Sequence, residues 1–414
     1  MPSQKKTKVG IGFCNREDAY LSGVHVAREA LESGTIERPD FVYAFCSGDL
    51  DHERFFAGLT EVVGQNTPIV GGSAIGVLTN EQIRYDGASA GAAIIESDRI
   101  RHRVVATGLN DNLTAAGREV AELLSDLPDD RLIMLFYEWV KETAKGGCPP
   151  VLNSSTHILE GFGRDADCQA PLIGAGLVGS YQLEPGKQFC GSFVGAEHAV
   201  GVALSGDFSV FLRIMHGCAP LDGTYHTITK SEGPVIYELD GRPIVDIMDN
   251  LFGHKEWRNQ QPIDYLAIGV NLGERYGVPV ERDYVNRMLI SMLPDGSGVS
   301  MFEPGLEEGM EIQFMLRDTR KMVESAAKNS QELIETIVET GKKKPVFAFY
   351  IDCAGRTMQS SSSTEEEAGE VQKVCNQYGI PLLGLFTGVE IAPLRGYSRG
   401  LDWTGVLVVV AEDE

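Results

Sequence analysis

One pattern recurs three times along the 414 residues, and that repetition limits what the chain can fold into. An apolar, strand-like run is followed, after a helical stretch, by Pro, two apolar residues and a glycine-rich loop, and then by a further strand with glycines. The first copy is Phe41-Val42-Tyr43-Ala44-Phe45-Cys46, Pro68-Ile69-Val70-Gly71-Gly72-Ser73 and Gly91-Ala92-Ala93-Ile94-Ile95. The second is Leu132-Ile133-Met134-Leu135-Phe136-Tyr137, Pro171-Leu172-Ile173-Gly174-Ala175-Gly176 and Val200-Gly201-Val202-Ala203-Leu204. The third is Val346-Phe347-Ala348-Phe349-Tyr350-Ile351, Pro381-Leu382-Leu383-Gly384-Leu385-Phe386 and Gly405-Val406-Leu407-Val408-Val409-Val410. Near-continuous apolar strands linked through helices belong to sheets covered by helices. The order strand–helix–strand–strand departs from strict βαβ alternation. The expectation is therefore an α/β fold of mixed sheets, built from repeated units.

Helical apolar spacing over 18–31, 50–63, 114–127, 151–162, 244–252, 319–340 and 364–378 supplies the covering helices. Ser47-Gly48-Asp49 reads as the turn and cap of the second of these. Ser363 followed by Glu366 reads as a capping box for the last. Gly, Pro, Thr and His gather over 217–233, which places a boundary between a part covering 8–225, with two repeat units, and a part covering 230–414, with the third unit at 346–411.

The net charge of −23 argues against a nucleic-acid partner, because phosphate contact needs clustered Lys and Arg. It argues equally against an anionic membrane surface. No apolar run reaches the roughly 18 residues of a spanning helix. The basic start is followed by only a short apolar stretch, so no secretory signal is read there and a cytoplasmic location is expected. None of the eight cysteines forms a C-x-x-C pair, and reduced thiols are expected.

Two motif clusters carry a family resemblance. One is Leu239-Asp240-Gly241-Arg242-Pro243-Ile244-Val245-Asp246-Ile247 with the later Ile351-Asp352-Cys353-Ala354-Gly355-Arg356. The other is Pro68-Ile69-Val70-Gly71-Gly72-Ser73 with Gly388-Val389-Glu390-Ile391-Ala392-Pro393. In this order they resemble the FIST (F-box and intracellular signal transduction) domain, its N-terminal part over about 8–225 and its C-terminal part over about 230–411. The resemblance implies a sensory module for small ligands, amino acids among them. It also implies a signalling partner such as a histidine kinase, a chemoreceptor or a cyclic-dinucleotide enzyme. One branch similar in sequence binds haem as a nitric-oxide sensor. Output from this chain is expected to pass through a separate partner.

Ligands of open α/β sheets bind beyond the carboxyl ends of strands. Here those ends carry Cys46-Ser47-Gly48, Gly71-Gly72-Ser73, Gly174-Ala175-Gly176, Asp352-Cys353-Ala354-Gly355-Arg356 and Thr387-Gly388-Val389-Glu390. An amino acid needs a donor set for its carboxylate and an acceptor for its ammonium, and Arg356 and Glu390 would supply them. The alternative is that the glycines serve turns and strand packing and that Arg356 pairs with an acid. Cys353 or Cys46 as a nucleophile, or Glu390 as the reactive group, would make the chain an enzyme on a small substrate. No cofactor is expected. Haem would need one of the eight histidines or Cys148-Pro149 as its ligand. His216, Cys218 and His226 are close enough in sequence for zinc. Gly174-Ala175-Gly176 is a weak substitute for a phosphate loop, since no P-loop lysine motif is present.

Overall fold

A computed structural model of the chain describes residues 7–124, 129–144, 150–163 and 170–413. The third of its sheets shows why the repeat matters. Ser209–Met215, Lys343–Cys353, Leu382–Thr387 and Gly405–Asp413 pair so that the first strand neighbours the fourth, the fourth the second, and the second the third. The same order holds for Lys8–Asn15, Phe41–Cys46, Ile69–Ser73 and Ser89–Glu96, and again for Ile100–Gly108, Asp130–Glu138, Leu172–Leu177 and His198–Gly206. In each unit the second and third strands run parallel and the fourth runs antiparallel to both its neighbours. These are mixed sheets, as the strand order in the sequence implies.

Each unit then gives a hairpin to another. The hairpin Gly76–Thr79/Ile83–Arg84 of the first unit pairs with Leu382–Thr387 of the third. Gln188–Gly191/Phe193–Gly195 of the second pairs with Ile69–Ser73 of the first. Val389–Leu394/Tyr397–Leu401 of the third pairs with Leu172–Leu177 of the second. The exchange is cyclic, so every third strand is flanked on both sides and none is left as an edge.

The inner faces of the three sheets meet in one apolar core. Alternate residues of the second strands point there: Phe41, Tyr43 and Phe45, then Leu132, Met134 and Phe136, then Phe347, Phe349 and Ile351. Phe45, Phe136 and Phe349 form a triangle with ring centroids 5.5, 5.8 and 6.2 Å apart. The outer faces carry a helix pair each: Ala19–Gly34 with His52–Val63, Leu113–Leu124 with Ser155–Phe162, and Thr319–Glu335 with Ala368–Gln377.

Between the first strand and first helix of the third unit lies a second body. Six strands, His226–Glu232, Val235–Leu239, Val299–Met301, Tyr284–Met292, Leu266–Asn271 and Glu311–Leu316, form a ring that closes because the last pairs with both the first and Leu266–Asn271. Its core holds Trp257 and the apolar face of the helix Ile244–Phe252. The boundary read near 225–230 follows the chain. In space the third unit draws Ser209–Met215 from before that boundary, and the barrel is an insertion within the unit.

Several local expectations shift. The helix expected from 50 begins at His52, capped by the Asp51 carboxylate accepting from Arg54 N at 3.0 Å rather than by Ser47-Gly48-Asp49. The last helix begins at Ala368 and not at 364. Ser363 does not cap it, because its hydroxyl donates to the Glu365 carbonyl at 2.8 Å, while Glu366 and Glu367 turn inward to Tyr85 and Tyr350. The last residues expected in the helix 114–127, together with Cys148-Pro149 and Cys168, lie outside the described residues.

Candidate functional site

The glycine-rich stretches are strands, not loops. Gly71 and Gly72 lie within Ile69–Ser73, hydrogen-bonded to a strand on each side, and Gly174 and Gly176 lie within Leu172–Leu177. A Cβ on Gly71 would come 1.9 Å from the Ala44 carbonyl oxygen, and one on Gly174 would come 2.0 Å from that of Leu135. The equivalent Gly384 of the third unit would meet Tyr350 O at 2.7 Å. The recurring glycine lets the third strand close on the second, which is the packing role.

Ser73 sits on the seam between the first and second units. Its Oγ is 2.7 Å from His52 Nε2 and accepts from Lys187 N at 2.8 Å. Burial pushes the His52 imidazole down to about 4, so it is neutral at pH 7. Cys46 is fully buried, and burial raises its thiol far above the usual range. Ser47 lies at the first-unit strand end, its backbone N–H donating to Ser89 O at 2.8 Å.

Arg356 is fully buried, with Nε donating to Asp352 at 2.8 Å, Nη2 2.7 Å from Glu367, and Nη1 donating to Trp403 O at 3.2 Å. Its charge is already matched by two carboxylates of its own unit. Glu390 is also fully buried: one oxygen accepts from Thr404 N at 3.2 Å, and burial with Asp402 and Asp352 nearby raises its carboxyl well above the ordinary value. The pair expected to orient a ligand thus stands behind the molecular surface, Arg356 matched by carboxylates of its own unit and Glu390 with one oxygen bonded to Thr404 N and the other without a protein partner.

A cleft of about 1260 Å³ opens where the strands of the second and third units end and the barrel begins. Trp139 follows the strand Asp130–Glu138, and Thr387-Gly388 ends the strand Leu382–Thr387. Cys353, Ala354 and Gly355 end the strand Lys343–Cys353. The barrel answers with Met288, Ile290, Phe302 and Arg317. Of the residues expected at the site, the cleft brings together Cys353 and Thr387. Thr387 Oγ1 and Gly388 N both donate to the Gly176 carbonyl, the second at 3.2 Å, which ties Gly176 to the rim.

Sequence reasoning missed Trp139, Arg317, Asp402 and Trp403. Arg317 is only 8% exposed; Nη2 donates to Ile263 O at 2.6 Å and the guanidinium lies 4.5 Å from the Trp403 ring centroid. Asp402 accepts from Met288 N at 2.8 Å, and burial pushes its carboxyl up to about 7. One buried polar atom on each of these four residues has no protein partner: Trp139 Nε1, Arg317 Nε, Asp402 Oδ1 and Trp403 Nε1. Buried polar groups are nearly always satisfied, so these four leave unused hydrogen-bonding capacity in one wall. Backbone strain gathers there too. Leu183, Tyr265, Ser362 and Trp403 all line the cleft with φ of 54°, 63°, 59° and 54°, a region costly for residues with a Cβ. The sequence signal was present in part: two of the three tryptophans of the chain sit at strand ends beside the repeat motifs.

The Cys353 thiol is 5% exposed, and burial and Glu390 raise it well above its ordinary value, outweighing the opposing hydrogen bonds from the Gly355 and Trp403 backbone. None of the histidines lines the cleft. His216 Nε2 is 3.0 Å from Glu281 O, while His226 Nδ1 pairs with Asp240 at 2.7 Å, so the two expected together for zinc have separate partners. Among the described residues no group of three metal-ligating side chains occurs. No helix of the described residues is long and apolar enough to cross a membrane.

With two of its three repeat sheets meeting an inserted barrel over a cleft, the molecule is of the mixed α/β class. The FIST N domain matches residues 40–242 and the FIST C domain matches residues 245–393, and the chain belongs to the FIST family. An uncharacterized protein of Mycobacterium tuberculosis is 29% identical over 200 residues, 48% of this chain and 50% of that one. Another, of Mycobacterium bovis, is 26% identical over 218 residues, 52% of this chain and 53% of that one. The match spans about half the length of these curated relatives. Among solved structures, a cyanuric acid hydrolase is 11% identical with a TM-score of 0.33, covering 99% of this chain and 100% of that one. A chorismatase is 12% identical with a TM-score of 0.32, covering 99% and 100%.

Proposed function

We propose that this FIST protein is a sensor that binds a small metabolite in the cleft between the three-unit core and the inserted barrel and signals to a separate partner. The observation that carries the reading is the cleft itself, walled by both bodies. A ligand that touches both favours one arrangement of barrel against core, and a partner that reads that arrangement responds to the ligand. An amino acid or related metabolite is the ligand class the family suggests, and a histidine kinase, chemoreceptor or cyclic-dinucleotide enzyme is the partner class. A cytoplasmic site of action fits that role.

The test is a thermal-shift panel of amino acids, related metabolites, nucleotides and haemin on the purified protein. A ligand at about 100 times its Kd adds roughly 2.7 kcal/mol to the native state. The expected result is a shift from one small-metabolite class that disappears in Ile290→Trp, which adds bulk to the barrel wall. Silence across the panel, in protein carrying no co-purified ligand, would sink the reading. A haemin shift with a Soret band would replace it by gas sensing.

A further inference from the structure

We propose that the cleft takes a carboxylic acid with a bulky apolar body, its carboxylate held by Arg317 and its body lying over Trp403 and Trp139. This deepens the sensor reading and rests on it.

Among the described residues Arg317 is the only positively charged side chain in the cleft wall, and no carboxylate among them lies within ion-pair distance of it. A guanidinium offers five N–H donors, and here one hydrogen bond, to Ile263 O, is made by the protein. A cation that is nine-tenths buried and left with spare donors is costly unless an acceptor arrives. The guanidinium lies 4.5 Å from the Trp403 ring centroid, and its fork of donors suits the flat, two-oxygen geometry of a carboxylate.

Of the other charged groups of the wall, only Asp264 acts on the Arg317 charge, without reaching ion-pair distance. Asp318 is spent on the first turn of the helix Thr319–Glu335, accepting from Arg320 N at 2.9 Å and Lys321 N at 3.2 Å. Asp402 accepts from the Met288 amide, and Asp264 stands at the exposed rim. The helix Thr319–Glu335 also begins at this wall, adding the positive end of its dipole beside Arg317.

Size sets the rest of the ligand. Sites of about 300–1,000 Å³ bury drug-sized molecules, and this one holds about 1260 Å³. A free amino acid would leave most of that space unfilled. The wall around Arg317 is aromatic and aliphatic, with Trp139, Leu183, Ile290, Phe302 and Trp403. Such a surface gains from a large apolar body and gains little from a small polar one.

Isothermal titration calorimetry with two matched pairs, decanoate with decanamide and 1-naphthoate with 1-naphthamide, tests this on the whole chain. Each acid is expected to bind at least tenfold tighter than its amide. Arg317→Met is expected to bring acid and amide level, and Arg317→Lys to restore part of the preference. Should Arg317→Met fail to fold, the ratio in the unaltered protein decides the matter. Equal affinity for acid and amide overturns the carboxylate proposal and leaves the ligand site standing. Binding of free amino acids without either apolar acid overturns the apolar body of the proposal and likewise leaves the ligand site standing. Failure of every probe, amino acids included, removes both the proposal and the sensor reading beneath it.

Discussion

The Arg317 guanidinium lies 4.5 Å from the centroid of the Trp403 ring, and Trp403 reaches that position with a φ of 54°. The two residues come from different bodies. Arg317 follows the barrel strand Glu311–Leu316, and Trp403 sits in the core, in the turn before the strand Gly405–Asp413. Their contact is therefore a direct coupling of barrel to core, held by a backbone conformation that a bulky residue adopts only when its surroundings require it.

That strain has a measurable sign. Trp403→Ala and Trp403→Gly both lose a buried indole, at about 3–5 kcal/mol. Alanine keeps the left-handed cost of roughly 1–2 kcal/mol, whereas glycine escapes it and gives back only about 0.5–1 kcal/mol through its freer unfolded chain. The glycine variant is expected to match or exceed the alanine variant by up to ~1.5 kcal/mol in urea unfolding. Alanine more stable by its usual margin would mean that no strain is held at this position.

Arg356 gives a different kind of prediction. Asp352 and Glu367 flank it at 2.8 and 2.7 Å with all three side chains buried. Removing one member of a buried ionic cluster leaves uncompensated charge and costs about 3–5 kcal/mol. Arg356→Met is expected to lower the unfolding free energy in urea by that amount, and adding Asp352→Asn with Glu367→Gln to recover at least half of it. The acid-over-amide preference of the cleft should survive in the triple variant. Its loss there, with Arg317 intact, would put Arg356 in the binding machinery.

The contrast between these two arginines shows what the sequence disclosed. The three copies, their order and the sheet class were legible because apolar strands of regular length announce themselves locally. The meaning of Gly71 and Gly174 was not, since a glycine that admits a neighbouring strand and one that shapes a loop look alike until the partner carbonyl is placed. Arg356 stood beside a family motif and drew the reading toward it. Arg317 had no motif around it, and only the closure of the barrel against the core brings it beside Trp403. The cyclic exchange of hairpins was equally hidden, because it is a property of long-range pairing and leaves no local trace.

Asp402 makes stability depend on pH in a direction opposite to that of a salt-bridged acid. Its folded value, near 7, stands above the ordinary 3.8 because burial disfavours the charge. Between about pH 4 and 7 the native state holds a proton that the unfolded chain has lost, so stability falls as pH rises through that window. The slope from one such group is at most about 1.4 kcal/mol per pH unit. Asp402→Asn is expected to reduce the slope of unfolding free energy over this range. Glu138, which burial also pushes to about 7, contributes with the same sign, so a residual slope remains. An unchanged slope in the Asn variant would mean that Asp402 is ionised in the folded protein.

The repeat glycines allow the architecture itself to be tested. Gly174→Ala places a Cβ 2.0 Å from Leu135 O, a backbone atom in the middle of the second unit's sheet that cannot swing aside. Gly71→Ala does the same against Ala44 O at 1.9 Å and adds a φ of 138°. Overpacking of this kind costs about 1–3 kcal/mol and sometimes more. At Gly108, the end of the strand Ile100–Gly108, a Cβ would meet nothing within 4 Å and the backbone is not left-handed. Gly108→Ala should therefore be neutral or slightly stabilising through the unfolded state. Chemical denaturation of the three variants is expected to separate the first two from the third by at least ~1 kcal/mol. If all three behave alike, the glycines of the repeat are not what lets the third strand close on the second, and a loop role for them returns.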